Sequence, residues 1–254
     1  MSVLLGYGNG SFADQITYST GIAPWFVTVD DLNNDTHPDI IVTNQESNDV
    51  SVLLGHGDGS FPNQTTYPTG AKPLYVAITD ANNDTRLDLV VANSYNNDVS
   101  VLLEYGDGTF ANQVMYAAGS VPFFVAVADL NNDGIPDFVV ANKHSDDATI
   151  LFGCPYETYA IQATLTPANG SQPHLIVIGD FNNDGILDII IAIHDSNNVG
   201  VLRGEGTGTF KDMILISMEY GSHPFSVVVV GDFNNDRKLD FALANDDSDN
   251  VYVF

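Results

Sequence analysis

The sequence predicts an all-β fold: a β-propeller of four-stranded antiparallel blades, about five in number, forming a closed five-bladed ring or a segment of a larger one. Three observations carry this expectation. The pattern Asp-x-Asn-x-Asp-x-x-x-Asp occurs five times, starting at Asp31, Asp80, Asp129, Asp180 and Asp232, with starts 49, 49, 51 and 52 residues apart. A fixed period near 50 is the mark of an array with one supersecondary unit per repeat. Each unit contains short β-branched and aromatic runs separated by glycine and Asn/Asp turns, without helical periodicity. Units that stack on their neighbours form one body, so residues 1–254 read as a single domain.

The unit at residues 73–119 shows the elements in order. Residues 74–79 form a first apolar strand that ends at the aspartate loop, and residues 89–92 form a second. A polar turn at 93–98 leads to a third strand at 99–103, a glycine turn at 104–109 and a half-exposed fourth strand at 110–116. Near-continuous apolar first strands, such as residues 26–29 and 227–230, suit the innermost position, and the polar fourth strands suit the rim. Residues 2–18 add a third and a fourth strand, and residues 251–254 a last third strand, giving 21 strands. Five closed blades need one fewer. Closure would set residues 12–18 beside the last blade; the alternative is a segment of a larger ring. One glycine turn is remodelled, to Gly153-Cys154-Pro155-Tyr156-Glu157-Thr158-Tyr159.

Oxygen side chains on alternate residues of a tight turn converge on one point, as a hard cation with about 6–8 oxygen ligands requires. The candidate Ca2+ ligands are Asp31, Asn33, Asp35 and Asp39; Asp80, Asn82, Asp84 and Asp88; and Asp129, Asn131, Asp133 and Asp137. The last two loops offer Asp180, Asn182, Asp184 and Asp188, and Asp232, Asn234, Asp236 and Asp240. The main-chain carbonyls of position seven, at His37, Arg86, Ile135, Ile186 and Lys238, add a further oxygen. Up to five ions are expected, one per repeat. Position six needs a positive φ, which Gly134 and Gly185 supply and Thr36, Thr85 and Arg237 do not, so the third and fourth loops rank as tightest. The loop is shorter than an EF-hand and lacks its terminal glutamate. With the affinity of extracellular calcium modules, each ion adds about 0.4–1.4 kcal/mol at ~1 mM.

The run Gly179-Asp180-Phe181-Asn182-Asn183-Asp184-Gly185-Ile186-Leu187-Asp188, with Gly55-His56-Gly57-Asp58-Gly59-Ser60-Phe61 as its glycine turn, resembles the FG-GAP (VCBS-type) repeats of integrin α-subunit propellers. The resemblance extends over essentially the whole chain. It implies that each loop joins the first and second strands of a blade and binds one calcium ion, in rings that usually have seven blades. It also implies adhesion or recognition of proteins or sugars in an extracellular setting, with some members carrying the repeats beside catalytic domains.

The net charge of −26 excludes nucleic acid and anionic membrane surfaces as partners, and five bound divalent ions would still leave −16. No apolar run is long enough for a membrane-spanning helix. Cys154 is the sole cysteine, which rules out an intrachain disulfide. The first residues do not read as a signal peptide, so a segment of a longer secreted protein is expected. The calcium loops and glycine turns share one face. Links into the first strands and second-to-third-strand turns share the other, where Trp25, Tyr75, Tyr95, Phe123, His174 and Phe225 are the candidate contacts for a protein or glycan. Open edge strands offer a route to self-association. No nucleophile sits in a catalytic motif, so the chain reads as non-enzymatic. An approach of His174 and His223 across adjacent blades is the one feature that favours catalysis or a transition metal.

Overall fold

The structure, a computed structural model, describes residues 1–154, 158–167, 171–218, 222–245 and 251–254, so Pro155, Tyr156 and Glu157 of the remodelled turn lie outside the described residues. A two-stranded pair, β1 (Ser2–Val3) and β2 (Ile16–Thr17), comes first. Blade one is β3 (Pro24–Asp30), β4 (Asp39–Asn44), β5 (Asp49–Leu53) and β6 (Gln64–Pro68). Blade two is β7 (Pro73–Thr79), β8 (Asp88–Asn93), β9 (Asp98–Leu102) and β10 (Val114–Ala117). Blade three is β11 (Pro122–Ala128), β12 (Asp137–Asn142), β13 (Asp147–Cys154) and β14 (Thr158–Leu165). Blade four is β15 (Pro173–Gly179), β16 (Asp188–Ile193), β17 (Asn198–Leu202) and β18 (Ile214–Ser217). Blade five has three strands, β19 (Pro224–Gly231), β20 (Asp240–Asn245) and β21 (Val251–Val253). All pairings are antiparallel and follow chain order.

The cores lie between blades. Successive residues of a strand face opposite sides of its sheet, and here both sides are covered. Leu89 and Val91 of β8 pack toward blade one, while Val90 and Ala92 pack toward blade three. In β12 the same division sends Phe138 and Val140 one way and Val139 and Ala141 the other. This is why the second strands are continuous apolar runs and are wholly buried in the four complete blades.

Two further contacts repeat between blades. An aromatic ring in or near three of the outer strands meets the aromatic that closes the next blade's glycine turn: Tyr18 on Phe61, Tyr67 on Phe110 and Tyr116 on Tyr159, at centroid distances of 5.4, 5.2 and 5.3 Å. Tyr159 shows that the remodelled turn keeps its aromatic plug. Its ring also stacks on Phe138 at 4.0 Å, and its hydroxyl donates to the Ala81 carbonyl at 2.8 Å. The second contact is a clasp. Asn48, Asn97, Asp146 and Asn197, all with left-handed backbones, accept through Oδ1 the N–H of Lys72, Val121, Gln172 and His223 in the following blade, at 2.9–3.0 Å.

The array is open. β20 pairs with β21, while β2 pairs with β1, so residues 12–18 do not complete the last blade as closure of a five-bladed ring would require. The first inner strand registers the consequence. Trp25, Val27 and Val29 of β3 are 57, 53 and 60% exposed, whereas Leu74 and Val76, their counterparts in β7, are 6 and 1% exposed. The described strands form an open array with one uncovered inner face.

The clasp can be tested at Asn97. Asn97→Gly keeps the left-handed backbone and removes the acceptor, and is expected to lower the unfolding free energy by about 1 kcal/mol. Asn97→Asp copies Asp146 and should stay within about 0.5 kcal/mol of the parent. Urea denaturation of the two variants measures both.

Candidate functional site

Each aspartate loop joins the first and second strands of its blade. Its shape is set by its own main chain. The carboxylate of position one accepts the N–H of position five through Oδ1 and that of position six through Oδ2, at 2.9 and 2.7 Å for Asp31 and at 3.1 and 2.9 Å for Asp180. Position three accepts the N–H of position five, and position five accepts that of position seven, so Asp35 takes the His37 N–H at 2.8 Å. The same bonds recur in the loops of Asp80, Asp129 and Asp232. They are Asx turns, formed because short acidic and amide side chains reach nearby backbone donors.

Position nine does a different job. Asp39, Asp88, Asp137 and Asp188 are at most 1% exposed, and each accepts two main-chain N–H groups. One comes from position two of its own loop, and the other from the residue opening the glycine turn: Gly55, Glu104, Gly153 and Gly204, at 2.8–3.0 Å. Burial raises the pKa of all four, to about 6 for Asp88 and Asp137, and the charges at positions five and one push the same way. Asp240 retains only the Phe233 N–H, at 2.8 Å, among the bonds described.

All five position-six residues adopt left-handed conformations: Thr36, Thr85 and Arg237 at φ 69, 71 and 67°, Gly134 and Gly185 at 83 and 82°. The expectation that a positive φ is needed holds, but glycine is not required for it; its presence marks lower strain. Position four was missed by the sequence reading. Asn34, Asn83, Asn132, Asn183 and Asn235 all stand at φ 57–63°. Asparagine tolerates this region better than most residues, and the recurring Asn-Asn or Asn-Asn-like step was the available signal.

The donor set is all oxygen, which suits calcium. Two features define what ion entry would require. Asn33, Asn82 and Asn131 each turn Nδ2 onto the position-five carboxylate at 3.0–3.1 Å, so ligation through Oδ1 needs these amides to rotate. Among the described residues, the three acidic, histidine or cysteine side chains whose ligand atoms come within 4.8 Å of one another are His194, Asp195 and His223. The loop carboxylates are each engaged by backbone donors.

On the opposite face the frame is equally regular. Ala23, Lys72, Val121, Gln172 and His223 precede the five link prolines with left-handed backbones. The carbonyls of the first four accept the N–H of Gln45, Ser94, Lys143 and His194 from the adjoining turns, at 2.9–3.2 Å. On this frame Tyr95 is 75% exposed and Phe225 42%. Trp25 is exposed because it lies on the uncovered face of β3. Phe123 is partly covered, stacked on His174 at 4.8 Å with the Lys143 ammonium 5.7 Å above its ring. Tyr75 lies between Phe26 and Phe124, at 4.4 and 4.1 Å, and burial raises its pKa. His174 is 2% exposed and offers no surface to a macromolecular ligand. Its ring meets that of His194, which in turn lies 4.9 Å from His223 across the blade boundary, so the sequence expectation of a direct His174–His223 approach is replaced by one through His194.

Strain at position six gives a prediction. A β-branched residue at positive φ costs about 1–3 kcal/mol, against about 0.5–1 kcal/mol for the freedom of glycine in the unfolded chain. Thr36→Gly and Thr85→Gly should each stabilise the protein by about 0.5–1 kcal/mol in chemical denaturation. Gly185→Thr, where an added Cβ meets nothing within 4 Å, should destabilise it through φ alone.

No curated protein matches the chain. Solved structures that resemble it include BBS1N in complex with ARL6DN, at TM-score 0.60 and 14% identity, covering 89% of this chain and 61% of that one. An Agrocybe aegerita lectin that recognises non-reducing terminal N-acetylglucosamine aligns at TM-score 0.63 and 19% identity, over 100% of this chain and 73% of the lectin. The periplasmic gluconolactonase PpgL of Pseudomonas aeruginosa aligns at 0.62 and 16%, over 84 and 62%. The chain thus spans about three fifths of the first of these, and at such identities the likeness establishes the fold alone. The sequence itself says more. The profile of the FG-GAP-like repeat matches residues 31–91, 80–140 and 180–243, and the unmatched stretch between contains the remodelled hairpin. Covering well over half of the sequence, these matches show that the chain belongs to the FG-GAP-like repeat family.

Proposed function

We propose that this FG-GAP repeat propeller is an extracellular, calcium-stabilised, non-catalytic recognition module whose ligand, a protein or a glycan, docks on the face opposite the aspartate loops. The observation that carries this reading is the constant frame of that face. The same left-handed conformation and proline recur in every blade and the same turn in the four complete ones, while the displayed side chains differ, from Gln45-Glu46 through Ser94-Tyr95 to Lys143-His144. Variable side chains on a rigid scaffold suit recognition. Calcium is supported by the clustering of three carboxylates per loop, one of which, in the four complete blades, has its pKa raised by burial and further by the neighbouring carboxylates. The lectin and the protein complex among the structural neighbours are consistent with a glycan or protein ligand.

The uncovered strand favours a second reading, in which the chain is a structural segment of a larger assembly. Trp25, Val27 and Val29 form an exposed apolar row where every other inner strand is covered by a preceding blade.

Calcium-loaded protein on glycan and protein arrays separates the two. The first reading predicts a calcium-dependent hit that Tyr95→Ala weakens at least about tenfold, or ~1.4 kcal/mol, without changing the melting temperature. The absence of any hit, together with concentration-dependent association abolished by Val27→Asp, would replace it with the second.

A further inference from the structure

Three histidines from two blades meet on the face opposite the aspartate loops. His174 follows Pro173 in β15, His194 and Asp195 form the turn between β16 and β17, and His223 precedes Pro224 at the start of β19. The His174 and His194 rings stack at 4.5 Å and 19°, and the His194 and His223 rings lie at 4.9 Å and 45°. His194 Nδ1 is 2.6 Å from Asp195 Oδ1, and Gln172 Nε2 donates to Asp195 Oδ2. Ligand atoms of His194, Asp195 and His223 all lie within 4.8 Å of one another. The backbone fixes this meeting: the His223 N–H is held by Asn197 Oδ1 at 2.9 Å, and the His194 N–H by the Gln172 carbonyl at 3.2 Å.

The sister blades show that the frame does not need these side chains. Gln45, Ser94 and Lys143 stand where His194 does, and Ala23, Lys72, Val121 and Gln172 where His223 does. At the register position of His174 the other blades place Trp25, Leu74, Phe123 and Phe225. His174 is instead a polar ring at 2% exposure with neither nitrogen hydrogen-bonded. Burying an unpartnered polar group costs about 1–3 kcal/mol, which packing does not explain when Leu or Phe fills the site elsewhere.

We propose that His194, Asp195 and His223 bind a transition-metal ion, Zn2+ foremost, at the boundary of blades four and five, with His174 as a positioning residue behind His194. Two imidazoles and one carboxylate suit Zn2+, Cu2+ or Ni2+ and are a poor set for calcium, which takes oxygen ligands. Three protein ligands leave one tetrahedral position for water or an incoming ligand. Side-chain rotation at this partly exposed turn must close the 4.8 Å spread to the spacing set by metal–ligand bonds of about 2.0–2.2 Å.

Zn2+ titration by calorimetry and Co2+ absorption, on the full chain with saturating calcium, test this. One equivalent should bind. His194→Ser and His223→Ala import residues already present in sister blades, so folding should be retained while affinity falls at least about tenfold each. His144→Ala should change nothing. His174→Phe should shift the Co2+ absorption maximum, which a packing role alone would not do. Absence of stoichiometric Zn2+ binding, or binding that survives the His194→Ser/His223→Ala pair, overturns the proposal.

Discussion

A buried carboxylate at the ninth loop position of the four complete blades ties together parts of a blade that are distant along the chain. In the four complete blades one of its oxygens holds the loop and the other holds the exit of the third strand, 16 residues on. Removing it would leave two backbone donors without partners at a point where water is excluded, and the glycine turn would lose its anchor. Among the described residues, no basic side chain is bonded to this buried carboxylate. Burial and the neighbouring loop carboxylates both raise its pKa, so the site favours whatever neutralises it. A proton does so in acid. At neutral pH a divalent cation held by the other loop oxygens is the natural counter-charge, and this links the blade's architecture to the proposed chemistry.

Stacking then turns one blade into an array. The inner and second strands of blades two, three and four divide their side chains between two cores, so none of these blades completes its packing alone. The side-chain clasp at each boundary between blades, joined as far as blade three by the aromatic contact, fixes how far one blade rotates against the next. Both loop faces inherit that regularity. One presents repeated aspartate loops, and the other presents repeated links and turns on which unlike side chains are mounted. The histidine cluster arises because two of those unlike positions, in neighbouring blades, happen to be filled by ligating residues.

Much of this was legible because the repeat multiplies weak signals. One Asp-x-Asn-x-Asp run is a turn; five in register, with apolar runs at fixed offsets, specify blades and strand order. What escaped the sequence depends on contacts across blades or on backbone conformation. The clasp at Asn48, Asn97, Asp146 and Asn197 joins residues 24–26 apart through a side chain that reads as ordinary turn chemistry. Glu104 stands where sister turns have glycine, and its carboxylate accepts the Gly106 and Gly108 N–H groups, a local substitution without a periodic cue. Exposure of Trp25 and burial of His174 could not be told apart from one register position, because both depend on whether a neighbouring blade is present. His174 and His223 were paired from blade order alone, but His194 emerged only once the turn was placed.

The central claim is that the aspartate loops are ion sites on which blade stability depends, and thermal unfolding in EDTA, in magnesium and across a calcium titration tests it most directly. Mass-action coupling predicts a calcium-specific gain that saturates near millimolar and totals about 2–7 kcal/mol for five sites, with Asp88→Asn and Asp137→Asn each removing part of it. A melting temperature identical in EDTA and in saturating calcium would contradict the account and leave the aspartates as turn formers alone.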